Sequence, residues 1–364
     1  MNNRKMKNKH MILGVVLGNN FGNSIATWRM PHVDPGSYTN IDATVEQVRT
    51  AERGGLHFVF LPDRLFMQGD LATSPPLFNI DPIITLTAVA QATERIGLIG
   101  TASTSFTEPY LLARQLKALD VFSRGRAGWN AVPSFEPQAF ANFGKKLPSR
   151  ENKYERLHET IQVVQALWGS WGYEAGQPDQ AGMYADPAHI RPVNLQGKHV
   201  GARGPLPVPP SEQGQPVIMM PASSGYGLQA AGMYANVVIF GMPSSIEESR
   251  ALRHAVQESA LQAGRDREEI KFVVLAPFTG FTAKQVADNL QEWFEAEGAD
   301  GFLMNFEDFH TEIGEFVDRV VPILRERGLF HDGYEGKTLR DHLGVPPQYG
   351  LDPRIATGSA GGTR

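Results

Sequence analysis

Cysteine is absent from the 364 residues, which excludes disulfides, thiolate zinc sites and cysteine nucleophiles. Positive charge is not in excess: 34 Lys and Arg against 39 Asp and Glu leave a formal net charge of −5, the wrong sign for a dedicated nucleic-acid binder. No apolar run approaches the ~20 residues that span a bilayer. The nearest candidate is Met11 to Leu17 behind Arg4, Lys5, Lys7 and Lys9. It is short for a signal peptide and lacks a small-residue cleavage pattern. It reads as a buried first strand of a cytoplasmic protein.

Several chemical motifs are missing as well. There is no G-x-x-x-x-G-K-[ST] phosphate loop and no G-x-G-x-x-G opening a helix after an early strand. Ala222-Ser223-Ser224-Gly225 lacks the leading glycine of a nucleophile elbow. His158-Glu159 does not extend to H-E-x-x-H and the other histidines are scattered, so no metal centre is expected. Paired carboxylates of the glycosidase kind do not recur at strand ends.

What is present is an ordinary globular balance, 41% hydrophobic and 20% charged, arranged as alternating strands and helices. Strand patterns fall at 12–17, 57–61, 96–101, 126–132, 217–221, 237–240, 270–275 and 301–305. Helical patterns follow each: 42–53, 82–95, 108–122, 153–168, from 225, 245–263, 283–297 and 311–327. Eight βα units with right-handed crossovers predict a (β/α)8 TIM barrel. Residues 1–345 form one domain in this reading, with a Gly-, Pro- and Gln-rich insertion at 169–215; residues 346–364 read as a flexible tail with little core content.

A TIM barrel carries its active site at the carboxyl ends of its strands. Those ends supply Asn19, Asn20, Asp63, Thr101, Ser103, Thr104, Asn130, Ser223, Ser224, Thr279 and Asn305. The set is rich in hydroxyls and amides and poor in charge, which suits a bound cofactor that carries the difficult chemistry. One part points to an anion. Ser223-Ser224-Gly225 lies between a strand and a helix, where free N–H groups and the helix dipole favour negative charge. Arg150 and Tyr154, four apart at the entry to the strongest helix, share a face. Taken singly, each of these also fits an ordinary helix cap or a packed surface residue.

The stretches ATWRMPH (26–32), VRTAERGGLHFVFLPD (48–63), the run 92–130 ending in GWN, KYERLHETIQVVQALWGSW (153–171), RGPLPVPPSEQGQPVIMMPASSGYG (203–227) and YEGKTLRDHLG (334–344) occur in order across nearly the whole chain. With them the sequence resembles the bacterial luciferase-like flavin monooxygenases, in the branch of nitrilotriacetate monooxygenase component A and dibenzothiophene sulfone monooxygenase. The resemblance implies a barrel that takes reduced FMN from a separate flavin reductase, activates O2 at the flavin and oxygenates a small organic substrate. It also implies a homo-oligomer. Carried over by position, Asp63 faces the flavin, Ser103 and Thr104 line its ring or ribityl chain, and Asn130 bonds its polar edge. Arg150, Tyr154, Ser223 and Ser224 hold the phosphate. The catalytic acid or base is not identified, with His32 and His310 the candidates, and Trp28, Phe106, Trp129 and Phe135 are candidate apolar walls.

The chain departs from the family pattern at Arg150, where relatives usually have His, at Phe106 and at Ala131-Val132-Pro133-Ser134. The long excursion that relatives carry after the seventh strand is shortened to a few residues around Thr279, predicting a more open mouth. Within the same superfamily, a hydride-transferring enzyme using F420 or FMN and a non-catalytic flavin binder are the alternatives.

Overall fold

The structure, a computed structural model, describes residues 10–77, 80–176 and 178–355. Strand β1 (Ile12–Val16) leads through a long loop to α1 (Ile41–Arg53). Strand β2 (Phe58–Leu61) precedes α2 (Pro82–Ala90), β3 (Gly97–Ser103) precedes α3 (Pro109–Phe122), and β4 (Ala127–Val132) precedes α4 (Pro137–Asn142) and α5 (Arg150–Trp168). A small ribbon, β5 (Leu195–Gln196) with β6 (Gly201–Ala202), lies within the insertion. Then come β7 (Val217–Pro221), α6 (Gly225–Tyr234), β8 (Val237–Phe240), α7 (Ile246–Gln262), β9 (Lys271–Pro277), α8 (Ala283–Glu295) and β10 (Gly301–Asn305). Helices α9 (Glu312–Glu315), α10 (Val321–Glu326) and α11 (Leu339–Leu343) complete the order. The eight long strands close into a parallel barrel, β1-β10-β9-β8-β7-β4-β3-β2, as expected. Because β4 pairs directly with β7, the insertion leaves the barrel uninterrupted.

Strand alternation divides the core in two. Ile12, Val16, Phe58, Phe60, Ile99, Val217, Met219, Val237, Ile239, Val273 and Leu303 fill the interior, while Leu13, Val59, Leu98, Trp129 and Ile218 face the helices. Helix α11 plugs the amino-terminal end of the barrel with Leu339 and Leu343. The plug explains Gly97, where a Cβ would stand 2.4 Å from Leu339 Cδ1; at Gly128 a Cβ would first meet Ile99 Cγ1 at 2.8 Å.

Several boundaries differ from expectation, for tertiary reasons. The helix expected over 82–95 ends at Ala90, because buried Arg126 draws the carbonyls of Ala90, Thr93 and Ile96 onto its guanidinium. The Glu52 carboxylate accepts from the backbone of Glu94, Arg95 and Ile96 in the same turn. Helix α5 starts at Arg150 instead of Lys153, capped by Ser149 on the N–H of Asn152. The last long helix, expected to run unbroken, contains a π-helical stretch at Phe316–Val320. Residues 346–355 carry more packing than a tail of little core content: Ile355 joins the core cluster, Gln348 N–H donates to Gln213, and Gln215 donates to Gly350. Residues 356–364 lie outside the described residues.

Beneath the plug lies a cavity of about 230 Å³ lined by His10, His57, His331 and His342 among Lys271, Asp300, Tyr334, Glu335 and Asp341. The His57 and His331 rings are 4.9 Å apart, edge to face. Burial, then the neighbouring imidazoles, holds His57 well below the usual histidine range. Burial also lowers His331, and brings His342 down to about 4 despite Asp341 beside it. The unfolded chain therefore takes up protons first as pH falls, so stability is full above about 6.5 and declines toward pH 4. His342 alone is expected to contribute on the order of 2–3 kcal/mol of that loss. Urea midpoints measured from pH 7 to pH 4.5 should fall, and His342→Gln should flatten the slope.

Candidate active site

The alternation that places Ile99 inside the barrel puts Thr101 and Ser103 on the same face of β3. By the same rule Asn130 faces inward from β4 and Asn305 from β10. Asn130 is buried and donates from Nδ2 to Thr101 Oγ1 at 2.9 Å, while its Oδ1 has no partner. A buried acceptor left open is costly unless a ligand donor completes it. Ser103 Oγ meets Ser134 Oγ at 2.9 Å and accepts from Ser105 N–H. Thr104 is different: it is fully buried, with its hydroxyl on Val132 O at 3.3 Å, so its side chain serves the β3–β4 connection instead of the mouth. Asp63 follows β2, and burial pushes its carboxyl up to about 6, with Asp81 adding to the rise and the Arg64 backbone N–H opposing it.

The second cluster forms where the amino ends of α5 and α6 meet. Arg150 and Tyr154 sit on α5; Ser223 and Ser224 precede Gly225, the first residue of α6. Gly225 has φ +47°, and a Cβ there would stand 3.7 Å from Arg150 Nη2. A Cβ on Gly227 would meet the Tyr154 hydroxyl at 3.4 Å. Thus 75 residues of sequence separate groups that share one cradle. Ser224, the N-cap, makes no side-chain cap bond, whereas Ser149, Ser245 and Thr282 all do. The guanidinium of Arg150 lies 5.7 Å from the Tyr226 ring and 6.0 Å from that of Tyr154. Among the described residues no carboxylate forms an ion pair with it. A cation beside a helix amino end is repulsive by itself and favourable around an anion. Burial raises the Tyr154 phenol pKa, with Arg150 opposing. Sequence reasoning did not single out Tyr226, which stacks on Tyr154 at 5.3 Å; only its place next to Ser-Ser-Gly hinted at it.

Of the candidate walls, Trp129 points outward and packs edge-on against Trp168 at 6.0 Å, with Nε1 on Ala102 O. It belongs to the barrel–helix core. Phe106 stacks on Phe143 at 4.0 Å, Phe135 lies beneath Lys153, and Trp28 donates to Thr73 O. His32 is bonded to Asp308 at 2.8 Å, joining the loops that follow β1 and β10. His310 contributes its backbone N–H to the same carboxylate. After β9 the chain needs only residues 278–282 to reach α8, whose Thr282 and Gln285 form a reciprocal cap.

Residues 23–316 match the family described as luciferase-like monooxygenase. The chain is 30% identical to nitrilotriacetate monooxygenase component A of Aminobacter aminovorans over 93% of its length and 97% of that protein's. It is 31% identical to dimethyl-sulfide monooxygenase of Hyphomicrobium sulfonivorans, covering 88% and 87%. EDTA monooxygenase from Chelativorans sp. BNC1 superposes with a TM-score of 0.86 at 27% identity, over 93% and 99% of the two chains. The first alignment runs to 444 positions against a chain of 364, so at least 80 positions face gaps in this chain. Among the described residues no helix is long and apolar enough to cross a membrane.

Proposed function

The chain belongs to the luciferase-like monooxygenase family, a family of flavin-dependent oxygenases, and on that premise we propose that it is the oxygenase of a two-component system. It takes reduced FMN from a separate NAD(P)H:flavin reductase and oxygenates a small organic molecule with O2, in the cytoplasm and as a homo-oligomer. The observation that carries the reading is Arg150, unpaired with any described carboxylate, set against the amino end of α6. An FMN phosphate fits that cradle, with hydroxyls from Ser223, Ser224 and Tyr154 and a helix dipole behind them.

The residues within the barrel fit the rest of the cofactor. Asn130 Oδ1 is an open acceptor for a ring N–H, and Ser103 offers a hydroxyl on the same side. When bound, reduced flavin supplies the electrons that activate O2. The protein's own work is to orient and shield. Asp63, with a carboxyl pKa near 6, holds or releases a proton close to neutral pH at the mouth. His32, fixed by Asp308, is the other group placed to move one. The test is a titration with FMN, reduced FMN and F420, followed by oxygen uptake with a reductase present. FMN selectivity and substrate-dependent uptake above background are expected; preference for F420 would refute the assignment.

A further inference from the structure

A second cavity, apart from the phosphate cradle, is lined by cations. It encloses about 420 Å³ between the 143–149 linker, α5 and the turn that joins β5 to β6. Lys145, Lys146, Lys153, Arg156, Lys198 and His199 line it, and among the described residues no carboxylate does. Neither Arg150 nor Tyr154 of the cradle lines it, and neither Ser103 nor Asn130 of the barrel mouth. It is therefore a separate place on the molecule.

These cations are not equally engaged. Glu155 accepts from Lys198 at 2.7 Å and is bonded to His199 at 2.9 Å. Arg156 donates from Nε to Thr104 O and from Nη1 to His199 O, which leaves Nη2 buried without a hydrogen bond, 3.9 Å from the exposed Glu108. Lys153 differs from the rest. Only 7% of it is exposed, yet no described carboxylate pairs with it, and its ammonium rests 4.4 Å over the Phe135 ring. A ring face offsets part of the cost of burying a cation, and a counter-charge offsets more. Burial lowers the Lys153 pKa and Arg150 lowers it further, with Glu136 opposing. Lys153 also stands in the opening turn of α5, where the helix dipole repels positive charge and attracts negative.

We propose that this cavity is a second anion site, which takes a compact oxyanion of the diphosphate class, free or carried on a nucleotide, around Lys153 with Lys145, Lys146 and Arg156. The inference does not rest on the oxygenase reading. The open donors decide the class. Lysine ammoniums are point charges suited to phosphate, and Arg156, with Nε and Nη1 engaged, offers no fork for a carboxylate. Bound there, the anion ties the 143–149 linker to α5. The test is calorimetric titration of the whole chain with inorganic pyrophosphate, ADP and citrate at about 0.15 M salt, which screens diffuse attraction. Each is repeated on Ser224→Asp, which puts a carboxylate into the phosphate cradle. Pyrophosphate uptake should persist in Ser224→Asp and weaken about 10-fold or more when Lys153→Met is added. Lys146→Gln, at an exposed position, should weaken it less and leave FMN affinity unchanged. Tighter binding of ADP would identify a nucleotide, and tighter binding of pyrophosphate a free diphosphate, each upholding the site. Preference for citrate would overturn the proposal. So would loss of pyrophosphate uptake in Ser224→Asp, which would confine the ion to the cradle, or uptake indifferent to Lys153→Met.

Discussion

Ser224→Asp is expected to lower FMN affinity about 100-fold, or roughly 2.7 kcal/mol, while leaving the fold intact or slightly firmer. The two effects have opposite signs for one reason. Aspartate is a good N-cap, and Ser224 makes no cap bond, so α6 gains a partner for its free N–H groups. That same carboxylate occupies the anion cradle from within and pairs with Arg150, whose Nη2 lies 3.7 Å from where a Gly225 Cβ would stand. A phosphate arriving there meets like charge, worth about 4 kcal/mol at 4 Å for an effective dielectric of 20 and less at this exposed site. Ser224→Ala keeps the N–H groups and the cation, and should cost only a few-fold. Calorimetric titration with FMN checks both. Unchanged affinity in Ser224→Asp would place the phosphate elsewhere and remove the basis of the cofactor assignment.

Lys117→Met is expected to destabilise the protein by about 3–5 kcal/mol. Lys117 and Asp120 are both fully buried on α3, with Nζ and Oδ2 3.8 Å apart. Lys117 also donates to Gly214 O, and Asp120 accepts from Ser211 and Gln213, the closing residues of the insertion. Burial lowers Lys117 to about 8 and raises Asp120, so at pH 7 the lysine still carries its charge. Methionine matches its length but takes the lysine charge away from a buried carboxylate, which keeps only the Ser211 and Gln213 donors and the charge of buried Arg340. The double variant Lys117→Met/Asp120→Leu should recover much of the loss, because removing both charges also removes their desolvation cost. Urea unfolding of the single and double variants decides it; a loss below 1 kcal/mol for Lys117→Met would mean that water reaches the pair.

The sequence alone determined the barrel, because strand and helix periodicities are local and eight repetitions leave little topological choice. It also supplied the proposal of an anion site, since Ser-Ser-Gly between a strand and a helix is a local device. Tertiary structure decided what local pattern cannot encode. Arg150 faces Gly225 only because α5 and α6 flank adjacent barrel strands with the whole insertion between them in sequence. The early end of α2 is set by an arginine 36 residues beyond Ala90. Trp129 turned out to be core because alternation on β4 sends it outward while sending Asn130 in. The four histidines beneath the plug, scattered from His10 to His342 along the chain, meet only when the barrel closes. Periodicity fixes which way a side chain faces within its own element. What it meets there depends on the closure of the barrel, which no short window of residues contains.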